Sequence, residues 1–175
     1  MAQLQKEEWL RAGLKALDQN GADHVKIIKL CEQLNVTKGA FYHWFTSKKD
    51  FDFALLQFWQ NAFTQQFIEL SNSGGNAKDK LALLVRQCIE GLHKESRLEI
   101  EINMWAKQNK DVGEFVFAVY QQRFDYLMEL LNSIYTSAEE AKRHGLLLYC
   151  LLIGCDLFFR KISEKEANLL FREYL

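Results

Sequence analysis

The residues with most to offer chemically sit close together: Thr37, Lys38, Gly39, Ala40, Tyr42, His43 and Lys48. Their types suit contact with a polyanion rather than the making and breaking of bonds. Lys38 can donate to guanine O6 or N7, and the Ala40 methyl can touch a thymine methyl, in a major groove that admits an α-helix. Gly39 beside Ala40 leaves a bare face for close approach. Thr37, Tyr42, His43 and Lys48 are spaced to hold phosphates on either side, and Lys48 falls in the first turn of a helix, where free backbone N–H groups favour a phosphate. Phosphate contacts position such a unit, while base contacts specify sequence.

Other chemistry finds little footing. No Ser-His-Asp set, phosphate loop or pair of buried carboxylates stands out, so an enzyme is not expected. Cys31, Cys88, Cys150 and Cys155 are scattered through apolar helical surroundings, and His24, His43, His93 and His144 are as dispersed. None has metal-ligand spacing, so no metal and no cofactor is expected and the thiols read as buried structural groups. The longest apolar run, Leu146 to Ile153, is far short of the ~20 residues that cross a bilayer, and the N-terminus lacks a signal pattern. A soluble cytoplasmic chain is expected.

These groups need a scaffold, and the patterning makes it all-α. The 175 residues are 49% apolar and contain no proline, which allows a packed core and uninterrupted helices. A first helix runs from about Leu4 to Leu17, with Trp9, Leu10, Gly13, Leu14 and Leu17 on one stripe, and stops at Asn20-Gly21. A second carries Ile27, Leu30, Cys31 and Leu34 inward and Lys26 and Lys29 outward. Asn35 is placed to reverse the chain in the left-handed conformation. Thr37 can cap a two-turn third helix, and Ser47-Lys48-Lys49-Asp50 is a capping box for a fourth. Three helices with a tight second turn make a helix-turn-helix head.

The fourth helix shows an unbroken 3-4-3-4 apolar stripe: Phe51, Ala54, Leu55, Phe58, Ala62, Phe63, Phe67 and Leu70. It stops only at Ser71-Asn72-Ser73-Gly74-Gly75-Asn76. Further helices follow at about 78–93, 97–108, from an Asp111 cap to 134, from a Ser137 cap through an all-round apolar stretch Leu146 to Phe159, and from a Ser163 cap. The expected organisation is about nine helices: residues 1–46 as the head, and 47–175 as a helical ligand-binding and dimerisation bundle joined to it by the long fourth helix. A helix apolar on both faces must be covered twice, and a second copy of the chain would supply the other cover through the last two helices.

The net charge is -1, but between His24 and Lys49 there are five lysines and one glutamate, a local balance of +4. Such a patch suggests an anionic partner. A solvated helix face accounts for it equally well.

The segment from about Trp9 to Asp50 resembles the N-terminal domain of the tetracycline-repressor (TetR) family of transcriptional regulators. Val36-Thr37-Lys38-Gly39-Ala40-Phe41-Tyr42-His43-Trp44-Phe45-Thr46-Ser47-Lys48 is similar, nearly position for position, to the family's V-S-x-G-x-hydrophobic-Y-x-x-F-x-S-K signature. Beyond Leu70 the resemblance is architectural. It implies that Thr37, Lys38, Gly39, Ala40, Tyr42, His43 and Lys48 face double-stranded DNA, flanked by Lys26 and Lys29. It also implies a homodimer on a palindromic operator, and a repressor released by a small-molecule effector. For an apolar or aromatic effector the candidates are Trp59, Phe63, Phe67, Trp105, Phe117, Tyr120, Phe124 and Tyr149, although aromatic residues at helical spacing are more often simply core. Asn35 stands where the family usually has Gly, and Ile28 where a polar or basic residue is common. An interaction protein that kept the helix-turn-helix fold and lost DNA binding is the alternative.

Overall fold

The computed structural model describes residues 5–92, 97–157 and 162–175. Among them the chain is helical throughout: α1 (Lys6–Asn20), α2 (Ile27–Leu34), α3 (Lys38–Trp44), α4 (Lys48–Gln60), α5 (Gln66–Ser71), α6 (Ala77–Leu92), α7 (Leu98–Gln108), α8 (Lys110–Ile134), α9 (Ala138–Leu157) and α10 (Glu164–Leu170). The expected start at Leu4, end at His93 and stretch to Phe159 lie outside the described residues. By packing, the chain divides into two units. One comprises Met1–Asn61 and Ser96–Phe117; the other comprises Ala62–Glu95 and Ala118–Leu175.

The first unit is built on aromatic packing. Trp9, Phe41, Phe45 and Phe51 are fully buried. The Phe41 ring lies 5.4 Å from Trp9, 5.1 Å from Phe45 and 5.5 Å from Phe51, centroid to centroid. Burying each such side chain is worth about 1.5–3 kcal/mol, so one residue of α3 ties α1, α3 and α4 together. Gly13 lets α1 and α4 approach: a Cβ there would meet Phe51 Cζ at 2.7 Å. Gly21 ends α1 at φ 78°, its N–H donating to the Leu17 carbonyl at 2.8 Å.

The second unit packs Leu81, Val85 and Ile89 of α6 with Leu127, Leu130 and Leu131 of α8, Ala141 and Leu148 of α9, and Ala167, Phe171 and Tyr174 at the C-terminal end. Ser163 opens α10 with a complete capping box, its Oγ accepting from Glu166 N–H while the Glu166 carboxylate accepts from Ser163 N–H.

Three local expectations fail for identifiable reasons. The fourth helix is not one α stripe: a π turn, Asn61–Gln65, separates α4 from α5 within a continuous helical run. The cap of α8 is Asn109, whose Oδ1 accepts from Val112 N–H at 3.2 Å, because the helix begins at Lys110 and Asp111 already lies within its first turn. The thiols are not all buried: Cys31 is, Cys88 and Cys155 are half-buried, and Cys150 is exposed.

Candidate nucleic-acid interface

The turn between α2 and α3 sets the geometry. Asn35 adopts φ 53° and ψ 48°, and is the one non-glycine residue at positive φ among those described. Its N–H donates to Glu32 at 3.2 Å and that of Val36 to Cys31 at 3.0 Å, which closes α2 and reverses the chain. Thr37 follows in extended conformation at the cap of α3, but its side chain makes no capping bond. Thr37 is exposed, beside Lys38.

α3 buries Phe41 and turns Lys38, Gly39, Tyr42 and His43 to solvent, with Ala40 half-buried. Tyr42 is 55% exposed although its ring meets Phe41 edge-on at 5.3 Å, so the phenol projects away from the core that holds the helix. A Cβ on Gly39 would meet nothing nearer than Thr37 Oγ1 at 3.6 Å. The His43 ring lies against Trp44, centroids 5.0 Å apart, and Trp44 is half-buried. An open depression of about 450 Å³ between α2 and α3 is lined by Ile28, Cys31, Glu32, Asn35, Val36, Thr37 and Lys38. It puts the exposed Ile28 on the face that carries Thr37 and Lys38. Lys26 and Lys29 are exposed at and on α2.

The fourth helix opens with Ser47 Oγ accepting from Asp50 N–H at 3.0 Å. The Asp50 carboxylate reaches Thr46 rather than Ser47, accepting from its N–H at 2.7 Å and from its hydroxyl at 3.1 Å. Those bonds hold the Asp50 carboxyl below the ordinary carboxylate range. Lys48, placed on the phosphate-holding face by the sequence, is half-buried and ion-paired with Asp52, and its ammonium lies 5.8 Å from the Phe51 ring centroid. Burial raises the Asp52 carboxyl, and the Lys48 ammonium opposes that shift. Lys49 donates to Asp111 at 2.6 Å. The i, i+4 spacing of Lys48 and Asp52 was visible in the sequence; the partner of Lys49 lies 62 residues away and was not.

The aromatic residues named for an effector fall in both units. Trp59 and Trp105 are buried in the first, Trp59 donating to Glu99 at 3.0 Å, and Phe117 is 69% exposed there. In the second, Tyr149 donates to the Tyr120 carbonyl at 3.3 Å and meets the Phe124 ring edge-on at 5.5 Å. Phe67 is half-buried, while Phe63 is turned outward. Among the described residues no group of three His, Cys, Asp or Glu is placed to hold a metal ion, and no helix is long and apolar enough to cross a membrane.

An exposed small-residue helix carrying Lys38, presented by a three-helix core, makes a helix-turn-helix head. Residues 10–55 match the family model for bacterial regulatory proteins of the tetR family. Over 92 residues the chain is 32% identical to the transcriptional regulator AcuR of Cereibacter sphaeroides, a match covering 52% of this chain and 42% of AcuR. It is 33% identical over 85 residues to the transcriptional repressor NemR of Escherichia coli K12, covering 48% and 43% of the two chains. The chain thus matches less than half the length of either relative. The fold extends further. The TetR-family regulator SCO4454 of Streptomyces coelicolor superposes with a TM-score of 0.77 at 18% identity, covering 97% of this chain and 83% of that one. Reduced NemR of E. coli gives 0.75 at 22% identity, covering 96% and 94%.

Proposed function

We propose that the chain is a sequence-specific DNA-binding transcriptional regulator. The observation that carries this reading is the outward face of α3: Lys38, Gly39, Tyr42 and His43 exposed on a seven-residue helix whose Phe41 is buried. An α-helix of this size fits the major groove. Lys38 is the candidate for base readout, and Thr37, Tyr42, His43, Lys26 and Lys29 for the sugar-phosphate rails. Lys48 contributes once it leaves Asp52.

The finer reading is a homodimeric repressor. α9 exposes Leu146, Leu147 and Ile153, and α10 exposes Leu169 and Leu170. These apolar faces suit pairing with a second copy through the last two helices. A twofold dimer calls for a palindromic operator with half-sites about one helical turn, roughly 34–36 Å, apart or somewhat more. Release is ascribed to a small apolar or aromatic effector taken by side chains such as Phe67, Tyr120, Phe124 and Tyr149. The setting is cytoplasmic. One observation favours the alternative of an interaction protein: Lys48 and Lys49 both have acidic partners, and Ile28 is exposed beside Lys38.

The deciding experiment is selection of bound fragments from random DNA, followed by affinity measurement over a range of salt. A regulator enriches a palindrome and loses affinity steeply with salt, since each phosphate contact releases counterions. Failure to enrich any sequence, with no salt dependence, would leave the protein-partner reading.

A further inference from the structure

The inward face of α2 is formed by Leu30 and Cys31, yet Ile28 stands 53% exposed on the same helix. A single exposed apolar residue is ordinary on a protein surface; the setting of this one is not. Ile28, Cys31 and Val36 line one open depression together with Thr37 and Lys38, the residues with which the α3 face begins.

Glu32 lines the same depression and is exposed. It lies four residues on from Ile28, so the two share a face of α2. An apolar side chain offers nothing to a phosphate, and a carboxylate repels one. This part of α2 is therefore unsuited to the sugar-phosphate rails. Lys29, about 100° round the helix, and Lys26 at its cap are left for those. The base edges in the major groove present hydrogen-bonding groups and one apolar group, the C5-methyl of thymine. An apolar side chain held beside Lys38, with an anionic neighbour that keeps phosphates off, is matched to that methyl.

We propose that Ile28 is a second base-reading residue, its side chain resting against the C5-methyl of a thymine one or two base pairs from the base that Lys38 contacts. The inference rests on the DNA-binding reading of α3 and adds that α2 reads sequence as well. Each half-site then has two specified positions set by different helices.

Replacing thymine by uracil removes the C5-methyl and keeps the base pairing, so it tests this contact directly. The whole chain selects an operator from random DNA, and each thymine of a half-site is replaced in turn. For the parent, one replacement close to the position that Lys38→Ala relaxes should weaken binding about fourfold, the worth of one buried methyl group. In Ile28→Ala that same replacement should have no effect, while a thymine read by Ala40 keeps its own penalty. Ile28 is exposed, so the variant is expected to melt with the parent. Should it unfold, Ile28→Gln serves the same comparison, being of similar length without the branched methyl groups.

Uracil penalties that are the same in parent and variant, or none at any thymine, would overturn the assignment of Ile28 and leave DNA binding standing. Equal weakening of operator and scrambled DNA by Ile28→Ala would mean that the side chain packs on sugar, and would overturn it too. A parent that enriches no sequence loses the DNA-binding reading, and this inference with it.

Discussion

Lys49 Nζ lies 2.6 Å from a carboxylate oxygen of Asp111, which joins the start of α4 to the start of α8 across 62 residues of sequence. Both side chains are largely exposed, so the pair orients these helix starts more than it stabilises them. The lysine holds the Asp111 carboxyl below its ordinary value. For an acid with a lowered folded-state pKa, the stabilising contribution is fully present above the unfolded value, about 3.9, and fades as pH falls through the lowered one. Carboxyl titration followed by NMR should show Asp111 titrating low in the parent and near the ordinary value in Lys49→Met. An unmoved Asp111 would mean that the contact does not persist in solution.

Asp52 shifts the other way. Burial raises its carboxyl despite the neighbouring Lys48. The folded chain therefore keeps this proton at pH values where the unfolded chain has lost it, and stability falls as pH rises from the ordinary carboxylate pKa through the raised one. Asp52→Asn should flatten the pH profile in that window and leave the neutral-pH Tm at least as high as the parent's. It should also free Lys48 for a phosphate. DNA affinity is then expected to rise at low salt, with log-log salt dependence steeper by about 0.9 per bound head. An unchanged slope would remove Lys48 from the phosphate contacts.

Lys38 and Tyr42 share the exposed face of α3 but should differ in what they do. Lys38→Ala is expected to cost about 1–3 kcal/mol on the preferred operator and to relax selectivity at one base position per half-site. Tyr42→Phe should weaken binding to all sequences alike, because it removes a hydroxyl suited to phosphate. Lys38 is exposed, and Tyr42→Phe keeps the ring that meets Phe41 edge-on, so Tm should hold in both. Parallel binding curves on operator and scrambled DNA separate the two effects. Equal losses on both sequences for Lys38→Ala would end its assignment to base readout.

The sequence made the head legible because its rules are local. Asn35 had to be left-handed, Gly21 had to stop α1, and Phe41 had to point inward for Tyr42 to point out; each depends on neighbours within a turn or two. What escaped was decided at long range. No periodicity argument places Asp111 beside Lys49. The stripe Phe63, Phe67, Leu70 is a sound α pattern, yet the chain makes a π turn at Asn61–Gln65 and buries Thr64, whose hydroxyl accepts from Arg123, 59 residues on. The effector candidates were chosen by residue type alone, and type does not distinguish Trp59, enclosed by its own unit, from Phe117, which faces solvent.

Asn35 offers a test of the turn that aims α3. At φ 53° and ψ 48° its backbone is in the left-handed region, where most side chains cost roughly 1–2 kcal/mol and asparagine and glycine are tolerated. Asn35→Gly should therefore keep Tm within a few degrees of the parent, since glycine's ease at positive φ is offset by the entropy it loses on folding. Asn35→Val should lower stability by about 1–2 kcal/mol or more, the β-branched side chain being least suited to that conformation. If α3 reads DNA, the valine variant should also lose operator affinity beyond what unfolding explains. It would shift the turn that places Thr37 and Lys38 while leaving both residues in the chain. Thermal melts and binding isotherms on the three proteins check this. A valine variant as stable as the parent would show that the reversal at Asn35 does not need the left-handed conformation.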